Sequence, residues 1–295
     1  MKNFLLCIFK FFCLNLAIVT VTVTAVYFIL SKASFAIPKD RTILVIGDSH
    51  TECAIDDSIF THSFNISHSG TVYLYSYIKL RKILIENPHI DTVLVSFHGG
   101  SIQKSMDEWT VGDKYILGLV PNYVSLLQRE ELPVFINNPT FYSAIIKVPV
   151  KCIRAVLKFM VKHTLTYKDL YIGGYLKLDR YRLQQEIEQV ENNTVLATEY
   201  SDYQIDYLLK IVALCAEKNV TLILFNTPTY DVEKYGNLKA LHNFYNTYLP
   251  GTKYLDYSNF ILPDYGYGDI GHLNFKGAEI FSTYLASNYE AIFNK

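Results

Sequence analysis

Short apolar runs rich in β-branched residues alternate with segments of helical periodicity along most of this chain. Runs of this kind that end at turn residues are typical of buried strands. We expect five strands, at residues 43–46, 63–66, 92–97, 220–225 and 253–257. We expect helices between and after them, at residues 72–86, 202–218, 238–248 and 278–293. Regular strand–helix alternation predicts an α/β fold, a three-layer sandwich around a five-stranded parallel sheet with right-handed crossovers.

The N-terminal segment is the longest apolar stretch of the chain. Residues 4–30 are almost wholly apolar, and residues 11–30 are long enough to cross a bilayer at about 1.5 Å per residue. A cleaved signal peptide is the alternative, although its apolar region is usually about 7–15 residues long. We expect residues 1–36 to form one uncleaved transmembrane signal-anchor that contacts the membrane through residues 4–30.

The charges around this segment leave its orientation open. Lysines precede it at Lys2 and Lys10, and Lys32, Lys39 and Arg41 follow it, so the excess of basic residues points to neither side. By analogy with anchored esterase-like proteins, we expect a single-pass protein of the cell membrane with its catalytic domain, residues 41–295, outside the cytoplasm.

Composition argues against several other classes of protein. The net charge of −1 gives no electrostatic basis for nucleic-acid binding. Five cysteines occur, at positions 7, 13, 53, 152 and 215, without a Cys-x-x-Cys pair, so neither a zinc site nor a disulfide framework is indicated. His50, His62 and His68 lack the helical spacing of metal ligands. We therefore expect no metal and no cofactor.

Two short motifs, near opposite ends of the predicted domain, carry the chemistry. Gly47-Asp48-Ser49 follows the first strand, at the sheet edge where ligands of α/β proteins bind. A serine at that turn has the exposure and the nearby backbone N–H groups that an acyl-transfer nucleophile needs; a plain helix cap is the alternative. Asp269 lies three residues before His272, ahead of the last helix, so the pair is suited to serve as orienting carboxylate and base.

These motifs resemble the SGNH hydrolases, also called GDSL-type esterases. The resemblance covers about residues 41–100 and 200–295. It implies a flavodoxin-like parallel sheet and cleavage or transfer of acyl esters by Ser49, His272 and Asp269. Residues 65–70, Asn-Ile-Ser-His-Ser-Gly, match the second family block, so Gly70 is implied as an oxyanion-hole donor beside the N–H of Ser49.

The third family block departs from its usual pattern. The family has Gly-x-Asn-Asp after the next strand, whereas this chain has His98-Gly99-Gly100-Ser101. Gly100 occupies the position of the expected asparagine. The backbone N–H of Gly99 or of Gly100, or the His98 ring, are the alternatives for the third oxyanion donor.

Residues at about 101–200 do not fit the minimal pattern, and we expect a helical insertion there. Residues 141–165 are apolar with interspersed lysines and an arginine. This pattern indicates either an amphipathic helix on the membrane surface or main domain, or a helical cap whose charges are simply solvated. Residues 175–190, after Gly173-Gly174, suggest a further exposed helix.

The combined expectation is a serine-dependent hydrolase of an O-acyl group, with O-acetyl favoured, on a cell-envelope glycan or lipid. An O-acyltransferase component of envelope polysaccharide modification, supplied by a membrane-bound acyl donor protein, is the first alternative. A catalytically degenerate module for glycan binding or assembly is the second.

Overall fold

The computed structural model of the chain describes residues 1–190 and 199–293. The chain divides into two compact units. The first unit consists of Met1–Ser34 and Val111–Tyr171, and the second of Phe35–Thr110 and Ile172–Lys295. The expected boundaries, an anchor at 1–36 and a domain at 41–295 with an insertion at about 101–200, stay a prediction.

The second unit contains the strands β1 Ile43–Ile46, β2 Ser63–Asn65, β3 Thr92–Ser96, β4 Thr221–Asn226 and β5 Lys253–Asp256. The described helices, in chain order through both units, are α1 Lys2–Leu30, α2 Ser49–Ala54, α3 Tyr73–Glu86, α4 Met106–Val111, α5 Asp113–Tyr123, α6 Leu132–Phe135, α7 Pro139–Lys151, α8 Ile153–Lys162, α9 Leu183–Val190, α10 Asp202–Glu217, α11 Val232–Tyr235, α12 Leu238–Tyr248, α13 Phe275–Ser287 and α14 Tyr289–Phe293. Two 3₁₀ turns lie at Tyr167–Leu170 and Asp264–Gly266.

The five strands form one sheet in the order β2-β1-β3-β4-β5, and every pairing is parallel. This order confirms the predicted α/β fold with a five-stranded parallel sheet and is that of flavodoxin-like proteins. The strand ends therefore bring the turns after β1, β2 and β3 to one edge of the sheet.

The central strands are buried on both faces, which explains their continuous apolar runs. Ile43 and Val45 of β1 face a core that also contains Phe281 of α13. Leu44 and Ile46 are equally buried and point to the opposite face. α2 packs against α13, and α3 packs against α10.

In the first unit, α1 packs against α7 and α8, and α5 packs against α7. Among the described residues, α1 is the one helix long and apolar enough to cross a membrane. A signal sequence near the N-terminus can meet the same criterion of length and hydropathy. Membrane topology therefore stays a prediction.

The expected helices of the insertion differ from the observed ones. The segment expected at 141–165 is divided between α7 and α8, which end and begin at Cys152, three residues after Pro149 removes a backbone donor; α8 ends at Lys162. The helix expected at 175–190 begins only at Leu183, because backbone N–H groups before it donate to the carbonyls of Ser67, Glu52 and Gly268. Residues 191–198, the end of the expected insertion, lie outside the described residues.

Candidate active site

The turn after β1 places Ser49 at the sheet edge. A side chain at Gly47 would put its Cβ 2.3 Å from Cβ of Ser96 on the adjacent strand β3, so only glycine lets the chain pass there. Asp48 then caps α2, since its Oδ1 accepts the backbone N–H of His50 at 3.0 Å. Ser49 is the first residue of that helix and is partly exposed.

The structure brings the three expected catalytic residues together. Nε2 of His272 lies 2.7 Å from Oγ of Ser49, and Nδ1 of the same ring lies 2.7 Å from Oδ1 of Asp269. The backbone N–H groups of Gly271 and His272 also donate to Oδ1 of Asp269, at 3.0 and 2.9 Å. The imidazole is thus held between a carboxylate and a hydroxyl, which is the arrangement that activates a serine.

Asn274 supports the loop that carries this pair. Its Oδ1 accepts from the backbone N–H groups of Lys276 and Gly277, and so caps α13. Its Nδ2 donates to the carbonyls of Tyr265 and Tyr267, just before Asp269. The buried Asn274 amide therefore holds both the segment before Asp269 and the start of the helix after His272.

Arg180 is a site residue that the sequence did not reveal. Its Nη2 donates to Oδ2 of Asp269, the oxygen that His272 does not use. Burial alone would raise the pKa of Asp269, but the hydrogen bond from His272, the charges of His272 and Arg180, and the N–H of Gly271 outweigh it and lower that pKa. Asp269 is therefore ionised at neutral pH and can stabilise a positive imidazole.

A second aspartate–histidine pair lies beside the first. Nε2 of His98 lies 2.7 Å from Oδ2 of Asp48, and Oγ of Ser96 donates to Oδ1 of Asp48 at 3.1 Å. Burial would raise the pKa of Asp48, but the charges of His98 and His50 hold it well below its usual range. Nδ1 of His98 accepts the backbone N–H of Gly100 at 3.2 Å, so both ring nitrogens are engaged.

His50 lies between the two pairs. Its ring stacks on His98 with centroids 3.8 Å apart and lies 4.8 Å from the ring of His272. Its buried Nδ1 lies 3.4 Å from Oδ1 of Asp48, but in a geometry that makes no hydrogen bond to any described residue. A Cβ on Gly271 would lie 3.1 Å from its Nε2, so the glycine makes room for the ring. Burial, and then the charge of His98, lower the pKa of His50 and keep it neutral at pH 7.

The expected oxyanion donors differ in availability. Across residues 1–190 and 199–293, no protein acceptor takes the backbone N–H of Ser49 or of Gly70. Gly70 has a left-handed φ of +74°, and a Cβ there would lie 3.4 Å from the Trp109 ring. The N–H of Gly100 is instead bonded to His98, so its role as a third donor stays a prediction that requires this bond to open.

A cavity of about 170 Å³ adjoins the site. His50, His98, Gly100 and Gly271 line it together with Asn226 at the end of β4. Oδ1 of Asn226 is buried without a hydrogen-bond partner among the described residues. Neither Ser49 nor His272 lines the cavity, so it offers space and polar atoms beside the two aspartate–histidine pairs and not at the serine hydroxyl itself.

Asp48, His50 and His98 are a possible metal cluster, since their ligand atoms lie within 4.8 Å of one another. The rings of His50 and His98 are stacked and inclined by only 30°. Rings so nearly parallel do not direct their lone pairs at a common point within metal-bond length. The observed arrangement fits a hydrogen-bonded network and does not fit an ion, although the absence of a metal stays a prediction.

Comparison with known proteins gives little further information. No protein-family model matches the chain, and no curated protein matches it. Among solved structures, the chain is similar to a protein from Streptococcus pneumonia that is provisionally described as a platelet activating factor. The two are 12% identical with a TM-score of 0.42, over 96% of this chain and 98% of the other. A likeness at this level carries no argument about activity.

Proposed function

We propose that this protein is a serine-dependent acyl-ester hydrolase of the SGNH type. The observation that carries the proposal is the hydrogen-bonded chain from Asp269 through His272 to Ser49, with both bonds at 2.7 Å. A partly exposed serine on that chain, at the carboxyl end of a central parallel strand, has the position and the base that nucleophilic catalysis requires.

In the proposed reaction, Oγ of Ser49 attacks the ester carbonyl while Nε2 of His272 takes its proton. The backbone N–H groups of Ser49 and Gly70 stabilise the oxyanion, and each such donor is worth about 3 kcal/mol of the barrier. The ester C–O bond breaks, and His272 returns the proton to the leaving alkoxide. Water then attacks the acyl-enzyme by the same path and releases the carboxylic acid.

The long apolar helix α1 supports a substrate located at the membrane. α1 is proposed to anchor the protein in the cell membrane with the catalytic unit outside the cytoplasm. The substrate is then an O-acyl group, with O-acetyl favoured, of a cell-envelope glycan or lipid.

A fluorophosphonate probe and p-nitrophenyl acetate test this proposal on the full-length protein in detergent. The wild type should be labelled and should hydrolyse the ester. Ser49→Ala should abolish labelling and lower kcat by about 10⁴-fold or more, because it removes the nucleophile. Ser105→Ala, at an exposed serine outside the site, is the matched control and should behave as the wild type.

The other outcomes separate the rival functions. Labelling with turnover only when a glycan hydroxyl acceptor is added would identify an O-acyltransferase, since the acyl-enzyme is common to both reactions. An intact protein that the probe does not label would remove Ser49 from catalysis and favour a binding module.

A further inference from the structure

The first unit carries an exposed apolar surface on α7 and α8. Seven large apolar side chains form it: Tyr142, Ile146, Val150, Ile153, Leu157, Met160 and Val161. Val150 and Val161 are 76% and 77% exposed. On α7 the members recur every four residues and so share one helix face. The opposite face of the same helix is buried through Phe141, Ala144 and Val148.

The same two helices are strongly basic. Residues 139–162 contain five cationic side chains and no acidic one, in a chain whose net charge is −1: Lys147, Lys151, Arg154, Lys158 and Lys162. Lys158 is paired with Asp169, and Lys151 donates to the carbonyl of Leu117. Lys147, Arg154 and Lys162 are exposed. An apolar face flanked by cations is typical of helices that lie in the interface of a membrane containing anionic lipid.

The packing of α7 and α8 on α1 favours a membrane as the partner of this apolar surface. α7 and α8 contact α1, and the buried residues of α1, Val26 and Leu30, are near its C-terminal end. A bilayer core needs about 20 residues of helix. The 29 residues of α1 therefore span it and leave the last turns for packing, which puts α7 and α8 at the depth of the lipid headgroups.

We propose that the apolar face of α7 and α8 lies in the headgroup interface of the membrane that α1 crosses, with Lys147, Arg154 and Lys162 bound to anionic lipid phosphates. This inference rests on the proposed anchoring by α1. The first unit would then contact the membrane through α7 and α8 as well as through α1.

Spin-label accessibility tests the proposal on the full-length protein in phosphatidylcholine–phosphatidylglycerol vesicles. Single labels are placed by Val150→Cys and Val161→Cys in a Cys7→Ser/Cys13→Ser background. Cys53, Cys152 and Cys215 are buried and should not react under native conditions. Both labels should be readily accessible to dissolved oxygen. Their accessibility to a water-soluble nickel relaxant should be severalfold lower than that of a label at Lys239→Cys, an exposed polar site of the second unit.

A label on native Cys13, with Cys7 replaced by serine, tests the anchor separately. If Cys13 is shielded from nickel but Val150→Cys and Val161→Cys are not, α1 spans the bilayer and the proposed surface is wrong. If nickel reaches Cys13 as well, the anchoring fails, and the inference fails with it. If neither relaxant reaches positions 150 and 161, and the shielding weakens on dilution in lipid, a second copy covers the face and the proposal is overturned.

Lipid charge provides the last test. Replacing phosphatidylglycerol by phosphatidylcholine, or replacing Lys147, Arg154 and Lys162 together by glutamine, should raise nickel access at Val150→Cys severalfold. Lys218→Gln, at an exposed lysine of α10's C-cap, is the control and should have no effect. No change with either the lipid or the triple variant would overturn the assignment of these cations to anionic lipid.

Discussion

The Asp269–His272 pair and the Asp48–His98 pair have the same bond length, 2.7 Å from histidine nitrogen to carboxylate oxygen, but they differ in what the second ring nitrogen meets. In His272 that nitrogen faces the hydroxyl of Ser49, a group that can give up a proton. In His98 it accepts a backbone N–H from Gly100. The first ring can therefore move a proton, whereas the second ring holds a loop in place.

The surroundings of the two carboxylates support this division. The carboxylate of Asp269 is held in place by Arg180 and by the backbone of its own loop, and that carboxylate in turn orients the His272 ring next to Ser49. Asp48 caps α2 and also accepts a hydrogen bond from Oγ of Ser96 on β3, so it links the turn that bears Ser49 to the neighbouring strand. We expect loss of the first pair to remove activity and loss of the second to remove stability.

The largest expected effect is that of His272→Ala. Without a base, ester turnover should fall by about 10⁴- to 10⁶-fold, as when any member of such a unit is removed. The free energy of unfolding should change by less than about 1 kcal/mol, because the ring is partly exposed. Turnover of p-nitrophenyl acetate and urea denaturation of the same preparation measure both. A stability loss that accounts for the lost activity would erase the distinction between the pairs.

Asp48→Ala should show the opposite pattern. It removes a helix cap and leaves His98 and Ser96 without their carboxylate, so the free energy of unfolding should fall by about 2–4 kcal/mol. Turnover per folded site, counted with a fluorophosphonate probe, should fall far less than in His272→Ala. Asp206→Ala, at an exposed carboxylate of α10, should change stability by less than about 0.5 kcal/mol. Full stability with abolished turnover would place Asp48 in the reaction itself.

Arg180→Gln tests how much the active pair depends on its outer partner. A lost hydrogen bond to a charged group costs about 1.5–3 kcal/mol, so kcat should fall by about 10- to 100-fold. The charge of Arg180 helps to lower the pKa of Asp269, so the variant should also lose activity at a higher pH than the wild type as the pH falls. Arg182→Gln, at a neighbouring exposed arginine, is the matched control. An unchanged pH profile would limit Arg180 to packing.

The sequence predicted the sheet well, because buried parallel strands appear directly as apolar runs. The first strand, 43–46, agrees at both ends, and the other four agree within one residue. The same logic placed Ser49 and His272 near each other, since both follow strands whose carboxyl ends share an edge. These parts of the fold depend on local composition and on the general rules for parallel sheets.

Arg180 was not predictable in that way. Residues 175–190 have a helical pattern, but their first half forms no helix, because Gly174, Leu176 and Arg182 donate backbone hydrogen bonds to Ser67, Glu52 and Gly268. Tertiary bonds of this kind override local propensity and leave no periodic signal.

The Asp48–His98 pair was more open to prediction than Arg180, because both of its residues lie within two positions of the ends of adjacent predicted strands. The resemblance to the third family block favoured an oxyanion role for residues 98–100, and it gives no reason to expect a carboxylate partner for His98.

The smallest expected effect concerns His50, the ring between the pairs. Burial and the charge of His98 lower its pKa, whereas the unfolded chain takes up this proton near pH 6.5. Between the two values the unfolded state binds more protons, so the free energy of unfolding is highest above about pH 6.5 and falls as the pH falls. One histidine contributes at most about 1.4 kcal/mol per pH unit. His68 adds to the same trend, since burial and the charge of Lys79 lower its pKa to about 4.

The His50→Gln variant measures how much of the pH dependence of the free energy of unfolding comes from His50. Urea denaturation at several values between about pH 7 and pH 5 should give a shallower loss of stability than in the wild type, because one proton-linked group is gone while His68 remains. His242→Gln, at an exposed histidine of α12, should leave the slope as it is. Equal slopes in the wild type and His50→Gln would mean that His50 takes up its proton without cost in the folded state. Asp48 would then act as the counter-ion of a protonated His50 as well as the partner of His98, and the three residues would form one charge network.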